Sequence, residues 1–441
     1  MSFLSPQDLR GLFDQLCSEY EYLSDNRSKL EADCNKLREY IEAQVTQIKQ
    51  LNQDFEKLKQ EFAQRGAELP PRQTAPVAQV PPQSQSAQQI QYSGEQGQQQ
   101  PQEEPPEQDW ELITLAEKIQ KPVIIALLAE IVDISVICST AFSPDGTCLA
   151  IGSDKTLRVY NIDKDDFLLQ HTIGDNDEEG TTNHVRSISW TADSQKIVCG
   201  GEDGHIRVFE LPNGEMTQNF EAGNGEVFQV QISASGTFFA AVTGDGCLTL
   251  ISMTDFSRLA VMTRQMPENS QPIVATSLAV SNDDKKIVVG YSDKVIALWD
   301  AETKACLVEK ECHKDGVYAV KFLPNGKMVS ASLDSTVKIW NIIEENGQTK
   351  LELWKELDGH TNFVLSLAVD PSGTWLLSGS KDLSARLSNV ETGEMIYSIK
   401  AHTNSIITVA FNPSGLMFCT GSGDQSVKIW SITPEETEDA A

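Results

Sequence analysis

The strongest constraint on this fold is a seven-fold repeat. The segments GSDKTLRVY, GEDGHIRVF, TGDGCLTLI, YSDKVIALW, SLDSTVKIW, SKDLSARLS and SGDQSVKIW each carry an Asp six residues before their last residue. These are Asp154, Asp203, Asp245, Asp293, Asp334, Asp382 and Asp424, separated by 49, 42, 48, 41, 48 and 42 residues, an average of 45. Turns such as SPDG (143–146), LPNG (323–326), DPSG (370–373) and NPSG (412–415) lie upstream of the Asp. Between turn and Asp come short β-prone runs such as CLAIG and WLLSG. Four short strands in each unit of this length describe the blade of a β-propeller, in which stacked units bury a shared core.

A ring of seven blades closes when another segment completes the last one. Only eleven residues follow Trp430, and Pro434 with the acidic EETED stretch makes poor strand material. The apolar run Val123 to Ile131, ahead of the first repeat, is the candidate for the missing outer strand. Pairing it there would also remove two open sheet edges.

The repeats resemble the WD repeat over residues 123–433. In that family an Asp in the turn between the second and third strands of a blade bonds a His in the loop before the first strand. A Trp on the third strand completes the network. His313, Asp334 and Trp340 match this arrangement, as do His402, Asp424 and Trp430. His360 and Asp382 match, with Ser388 in the Trp position; Trp299 stands at the Trp position of the fourth unit; the third unit has Ile251 and no His. The expected fold class is all-β, a seven-bladed WD-repeat β-propeller, preceded by an α-helical coiled coil and a disordered linker. Asp334→Ala is expected to loosen blade five, and Asp382→Ala to cost less because its network lacks the Trp.

The preceding segments differ in composition. Leu9, Leu16, Leu23, Leu30, Leu37, Leu51 and Leu58 are in heptad phase, with Gln44 at the missing step. A second seam runs through Phe13, Tyr20, Arg27, Cys34, Ile41, Ile48, Phe55 and Phe62. Alternating three- and four-residue spacing over this length predicts a coiled coil in residues 1–65. At about 1.5 Å per residue, 54 helical residues would extend roughly 80 Å. The bulky second seam favours more than two strands, and a homotetramer is expected. Residues 66–109 hold thirteen Gln and eight Pro, too little apolar content to offset the entropy of ordering, and read as a tether or a weak interaction segment. The domain reading is therefore 1–65 coil, 66–109 linker, 110–433 propeller and 434–441 acidic tail.

Composition narrows the function. The chain has 35 Lys and Arg against 64 Asp and Glu, a net charge of −29, which disfavours direct binding to DNA. The longest apolar candidate, Val123 to Ile137, is interrupted by Glu130 and Asp133, so no membrane span is expected. The nine Cys are scattered and never spaced CxxC, which reads as reduced intracellular thiols. The six His contain no pair at helical metal spacing, and neither GxSxG nor a phosphate-loop motif occurs. No catalytic residue, metal ligand or cofactor is assigned, and the expectation is a non-enzyme. The recurring Ser, His and Asp sit at repeat-periodic positions and read as scaffold bonds.

Repeat phase instead selects one residue at the start of each inner strand: Cys138, Arg186, Phe228, Thr276, Tyr318, Leu365 and Ile407. A largely apolar ring with one Arg and one Tyr at a solvated mouth has the composition of interface anchors. Phe363, Asn362 and Asn404 adjoin it in loops, and Lys381 directly precedes Asp382. The competing reading packs several of the apolar members between blades.

The order coil, Gln/Pro segment and propeller is similar to the Tup-type, Groucho-like transcriptional corepressors. The most similar stretches are GVYAVKFLPNGKMVSASLDSTVKIWN, HTNFVLSLAVDPSGTWLLSGSKD and HTNSIITVAF. The resemblance implies a nuclear corepressor without catalytic activity. It implies a coil that oligomerises and binds a TPR-repeat adaptor, a propeller whose narrow face binds sequence-specific DNA-bound repressors, and a middle region that contacts histone tails. The middle zone here is far shorter than is usual there, and no basic nuclear-import cluster is visible. The alternatives are a G-protein β-like signalling subunit, a Prp-nineteen-like ubiquitin ligase and an unrelated cytoplasmic WD scaffold. The first normally lacks the Gln/Pro segment and the long rod. The second would begin with a U-box, whereas this chain begins directly with the coil.

Overall fold

A computed structural model describes residues 110–116, 122–172, 183–265 and 273–434. The heptad positions from Leu9 to Phe62, the Gln/Pro segment 66–109 and the acidic residues after Pro434 lie outside the described residues.

Seven antiparallel sheets form the propeller. Blades one to five span residues 139–172, 185–221, 227–262, 275–311 and 317–357, each with its four strands paired in chain order. Blade six (364–400) gains a fifth strand, β1 (Glu111–Thr114), paired antiparallel with its outer strand from Glu111↔Lys400 to Thr114↔Tyr397. Blade seven (406–434) is completed by β2 (Val123–Val132), which pairs with strand Ser426–Pro434 from Val123↔Pro434 to Val132↔Ser426. The run Val123 to Ile131 thus supplies the outer strand expected of it. The partner strand continues through Pro434, where the sequence suggested it would already have ended. Pro is tolerated there because it lies at the strand's last position.

β1 was not foreseen. Its value is visible at Trp110, just before it, whose ring meets Trp430 edge-on at 5.0 Å between centroids. Trp430 is fully buried and stacks on Phe418 at 6.1 Å. The seam between blades six and seven, where the ring closes, therefore carries an extra aromatic cover. Tyr397 Oη accepts a hydrogen bond from Val123 N at 3.2 Å and ties β2 to blade six. Past β2, Asp133 receives Arg158 of blade one at 3.0 Å in a buried ion pair, which fixes the ring's other neighbour.

The apolar cores lie between blades. One cluster joins Leu377, Leu387 and Tyr397 of blade six to Ile406, Phe418 and Trp430 of blade seven; another joins Val329 and Ile339 of blade five to Leu367 and Leu376 of blade six. The Asp-Gly and Asn-Gly turns between first and second strands need a left-handed residue. Gly146 and Gly326 supply it at φ 76° and 81°. Among the described residues no helix is long and apolar enough to cross a membrane.

Candidate docking site at the channel mouth

Six of the seven inner strands start with an irregularity. In blades two to seven its pairing with the second strand skips one residue, between Val185 and Ser187, Val227 and Gln229, Ala275 and Ser277, Val317 and Ala319, Val364 and Ser366, and Ile406 and Thr408. The skipped residues are Arg186, Phe228, Thr276, Tyr318, Leu365 and Ile407. A bulge leaves one residue outside the ladder and re-aims its side chain. Here six bulges do so around one axis. Cys138 occupies the matching place in blade one, its N–H bonded to Gly152 O at 2.9 Å just before strand Ser139–Phe142.

All seven residues line a single open cavity of about 650 Å³ at the centre of the ring. Phe363 and Lys381 line it too, with Lys381 Nζ 5.2 Å from the Phe363 ring centroid. Phe363 is 37% exposed, among the more exposed large apolar side chains described. Asn404 does not line the cavity: its Nδ2 donates to Gly423 O at 3.2 Å and its Oδ1 accepts from Ser405 N at 2.7 Å. Its amide is spent on the loop. Asn362 is spent likewise, its Oδ1 accepting from Phe363 N at 2.9 Å.

Arg186 is less free than its sequence position suggests. Its guanidinium bonds Glu202, lies 3.9 Å from Glu226 and covers the Phe228 ring at 5.6 Å. His184 Nδ1 joins Glu202 at 2.7 Å. Burial opposes the charge on Glu202, but the His184 bond and the Arg186 charge outweigh it and hold the carboxyl below its usual range. Glu202 and His184 had no repeat-periodic signal in the sequence. Burial pushes the Cys138 thiol up to about 12, so it lines the cavity as a neutral, unreactive group.

The blade networks lie on the same side of the ring and are chemically closed. In blade five Trp340 Nε1 donates to Ser330 Oγ at 2.9 Å, Ser330 Oγ meets His313 Nε2 at 2.7 Å, and His313 Nδ1 meets Asp334 at 3.0 Å. Asp334 also accepts from Lys314 N, Thr336 N and Thr336 Oγ1 at 2.8, 3.0 and 2.6 Å. Blade seven repeats this with Trp430, Thr420, His402 and Asp424 at 3.1, 2.7 and 2.9 Å. The hydroxyl links, Ser330 and Thr420, were missed because Ser and Thr recur too freely in strands to stand out.

Blade six gives no geometric ground at the carboxylate for the smaller effect expected of Asp382→Ala. Asp382 accepts from His360 at 2.8 Å, Thr361 N at 3.0 Å, Ser384 N at 3.0 Å and Ser384 Oγ at 2.6 Å, the same four bonds as Asp334. Ser388 removes the Trp from Ser378, two links away, and takes nothing from the carboxylate. In each of these three Asp residues burial opposes ionisation, and the His bond with its accompanying hydrogen bonds holds the carboxyl well below the usual range.

The other four turn Asp residues find substitutes for His. Asp293 pairs with Arg264 at 2.9 Å, and Arg264 lies over Tyr291 at 4.7 Å. Trp299 is buried, and among the described residues its Nε1 has no hydrogen-bond partner of normal geometry. Asp203 takes Asn183 Nδ2 at 2.9 Å and the Arg207 guanidinium. Asp154 accepts from Asn183 N at 2.7 Å. Asp245 accepts from Thr243 Oγ1 at 2.5 Å and Asn224 N at 3.1 Å. Among the described residues no group of three or more His, Cys, Asp and Glu is placed to hold a metal ion.

Seven blades around an open, bulge-lined mouth define a β-propeller with an exposed central rim. The WD domain, G-beta repeat family matches residues 133–161, 262–300, 304–341, 351–387 and 393–431, and the anaphase-promoting complex subunit 4 WD40 domain matches 168–235. The chain thus carries WD repeats over these segments. It is 27% identical over 251 residues to the WD repeat-containing protein WDS homolog of Arabidopsis thaliana, covering 55% of this chain and 44% of that protein. It is 24% identical over 211 residues to the Arabidopsis thaliana pre-mRNA-processing factor 19 homolog 2, covering 46% and 37%. It is 25% identical over 267 residues to THO complex subunit 3 of Arabidopsis thaliana, covering 59% and 78%. The chain thus spans less than half the length of the first two.

Proposed function

We propose that this WD-repeat scaffold is a non-enzymatic nuclear corepressor. Its propeller captures DNA-bound repressors at the channel mouth, and residues 1–65 oligomerise, as a tetramer, and hold a TPR-repeat adaptor. The observation that carries the docking part is the convergence of six bulge residues and Cys138 on one open cavity of about 650 Å³. Tyr318, Leu365 and Ile407 are placed by the ladder but left out of it, so they are presented without being needed to close a blade, whereas Arg186 is held by Glu202 and Thr276 Oγ1 donates to Gly290 O and Val317 O. Phe228, Tyr318, Phe363, Leu365 and Ile407 supply apolar and aromatic area of the kind that dominates interfaces. Lys381 adds a cation at the rim. The corepressor part is supported by the order heptad, Gln/Pro segment and repeats in the sequence.

A second reading has support in the relatives: two are named for pre-mRNA processing and for the THO complex. Under it the same mouth serves an RNA-processing assembly. Native purification of the full chain followed by identification of stoichiometric partners separates the two. The first reading expects a TPR-repeat protein and sequence-specific DNA-binding proteins; recovery of splicing or RNA-export subunits in their place overturns it.

A further inference from the structure

The inner strands turn one edge toward the preceding blade across the channel wall, and the N–H groups on that edge need acceptors. Around part of the ring, side chains provide them. Between blades two and three, Ser187 Oγ accepts from Val230 N and Ser189 Oγ from Ile232 N, both at 3.0 Å. Between blades three and four, Gln229 Oε1 accepts from Leu278 N at 2.9 Å and Gln231 Oε1 from Val280 N at 3.3 Å. Between blades seven and one, Thr408 Oγ1 accepts from Thr140 N at 3.1 Å.

The equivalent positions between blades five and six are Ala319 and Lys321, facing Leu367 and Val369. Alanine has no side-chain acceptor, and an ammonium has three donors and no acceptor. Among the described residues no side chain of blade five therefore accepts from this edge, and Lys321 adds a positive charge to it. Lys321 lines the cavity half-buried and has no ion pair or hydrogen bond among the described residues. Ser366, next to Leu367, also lines the cavity, and its buried Oγ has no partner among the described residues. At the six other blades the residue in phase with Lys321 is Ala141, Ser189, Gln231, Ala279, Ala368 or Ala410, so the charge is a feature of this one sector.

We propose that this sector of the channel binds the carboxylate of an Asp or Glu in an extended partner peptide, with Lys321 as its counter-ion and the inner-strand edge of blade six as a further donor. The inference rests on the mouth being the docking site and specifies what enters it. A carboxylate accepts several hydrogen bonds at once and gains most from a cation in a poorly solvated site. Burial pulls the Lys321 ammonium below the usual lysine range, a cost that a bound carboxylate would offset. The apolar rim at Phe363, Leu365 and Ile407 suits apolar residues flanking the acidic one. With a net charge of −29 the chain repels acidic runs at a distance, so a single carboxylate among apolar neighbours fits better than an acidic tract.

The test is calorimetric titration of the full chain with acetyl-Leu-Asp-Leu-Leu-amide, its Asn counterpart, and succinate as a free carboxylate. The Asp peptide should bind at least about tenfold more tightly than the Asn peptide, a ratio set by one charge-assisted contact. Lys321→Gln should erase that ratio and Lys321→Arg should keep it. Should Lys321→Gln fail to fold, lysine ε-carbon NMR on the unaltered chain reads the same contact, since the Asp peptide should raise the titration midpoint of Lys321. Equal binding of the two peptides, no binding of either at millimolar concentration, or succinate binding as tightly as the Asp peptide would overturn the proposal. Loss of the peptide result alongside intact capture of a partner through Tyr318 would remove the carboxylate site and leave the docking face standing.

Discussion

Two sets of side chains share one end of the propeller and differ in how their polar groups are used. In the networks of blades five, six and seven the carboxylates of Asp334, Asp382 and Asp424 each accept four hydrogen bonds from a His, two backbone N–H groups and a hydroxyl. In the ring at the mouth, Tyr318, Leu365 and Ile407 stand on bulges, outside the ladder. The first set is occupied in holding the turn to the loop. The second is held in place by the backbone while its side chains remain at the cavity. Substitutions in the first set should therefore appear as stability, and in the second as binding.

The largest effect is expected in the networks. Asp334→Ala leaves His313, two backbone N–H groups and Thr336 without their acceptor at a site where the carboxylate is only 4% exposed. The expected loss is about 2–4 kcal/mol by chemical denaturation. Asp382→Ala should lose a similar amount, since it removes the same four bonds. A loss at Asp382 far below that at Asp334 would mean the Trp contributes through the carboxylate after all.

Acid should act on the same set. The three carboxyls are depressed in the folded state, so the stability they contribute is complete above the unfolded Asp value of about 4 and is lost as pH falls through their lower folded values. His360, lowered chiefly by burial, adds an earlier loss. The unfolded chain takes up its proton near about pH 6.5 while the folded chain does not. Melting temperature should thus fall modestly from pH 7 to 5 and steeply below pH 4. Asp382→Ala should flatten part of the steep limb.

A smaller effect is expected one link further out. Trp340→Phe removes a donor from Ser330 but leaves Ser330 bonded to His313. A cost of about 1–2 kcal/mol is expected, from the lost bond and the smaller ring together. Blade six, with Ser388 at this position, shows that the rest of the network forms without the indole.

How much of this was legible depended on whether a residue repeats. The turn Asp residues, three His and two network Trp recur in phase and marked the blades. The ring positions followed from the same phase, because each bulge sits at a fixed distance along its blade. What does not repeat was not visible. Arg264 does for Asp293 what His does elsewhere, from the far side of a connecting loop. Glu202 claims Arg186 through tertiary contact alone. β1 is four residues long and pairs with a blade nearly 300 residues away in sequence. Lys321 lies in a strand whose alternation looks ordinary, and its singularity shows only when its counterparts in the other blades are seen to be uncharged, Ser189 and Gln231 accepting backbone N–H groups and the other four being alanine.

The most direct test of the division between the two sets is Tyr318→Ala in the full chain, with thermal unfolding and partner capture measured on the same preparation. The bulge places Tyr318 at the cavity without giving it a role in the ladder. The expected result is a melting curve within about 0.5 kcal/mol of the unaltered chain, together with a binding loss of about 2 kcal/mol or more. A variant that unfolds early would make Tyr318 a packing residue between blades. One that folds and captures its partner normally would show that docking occurs elsewhere.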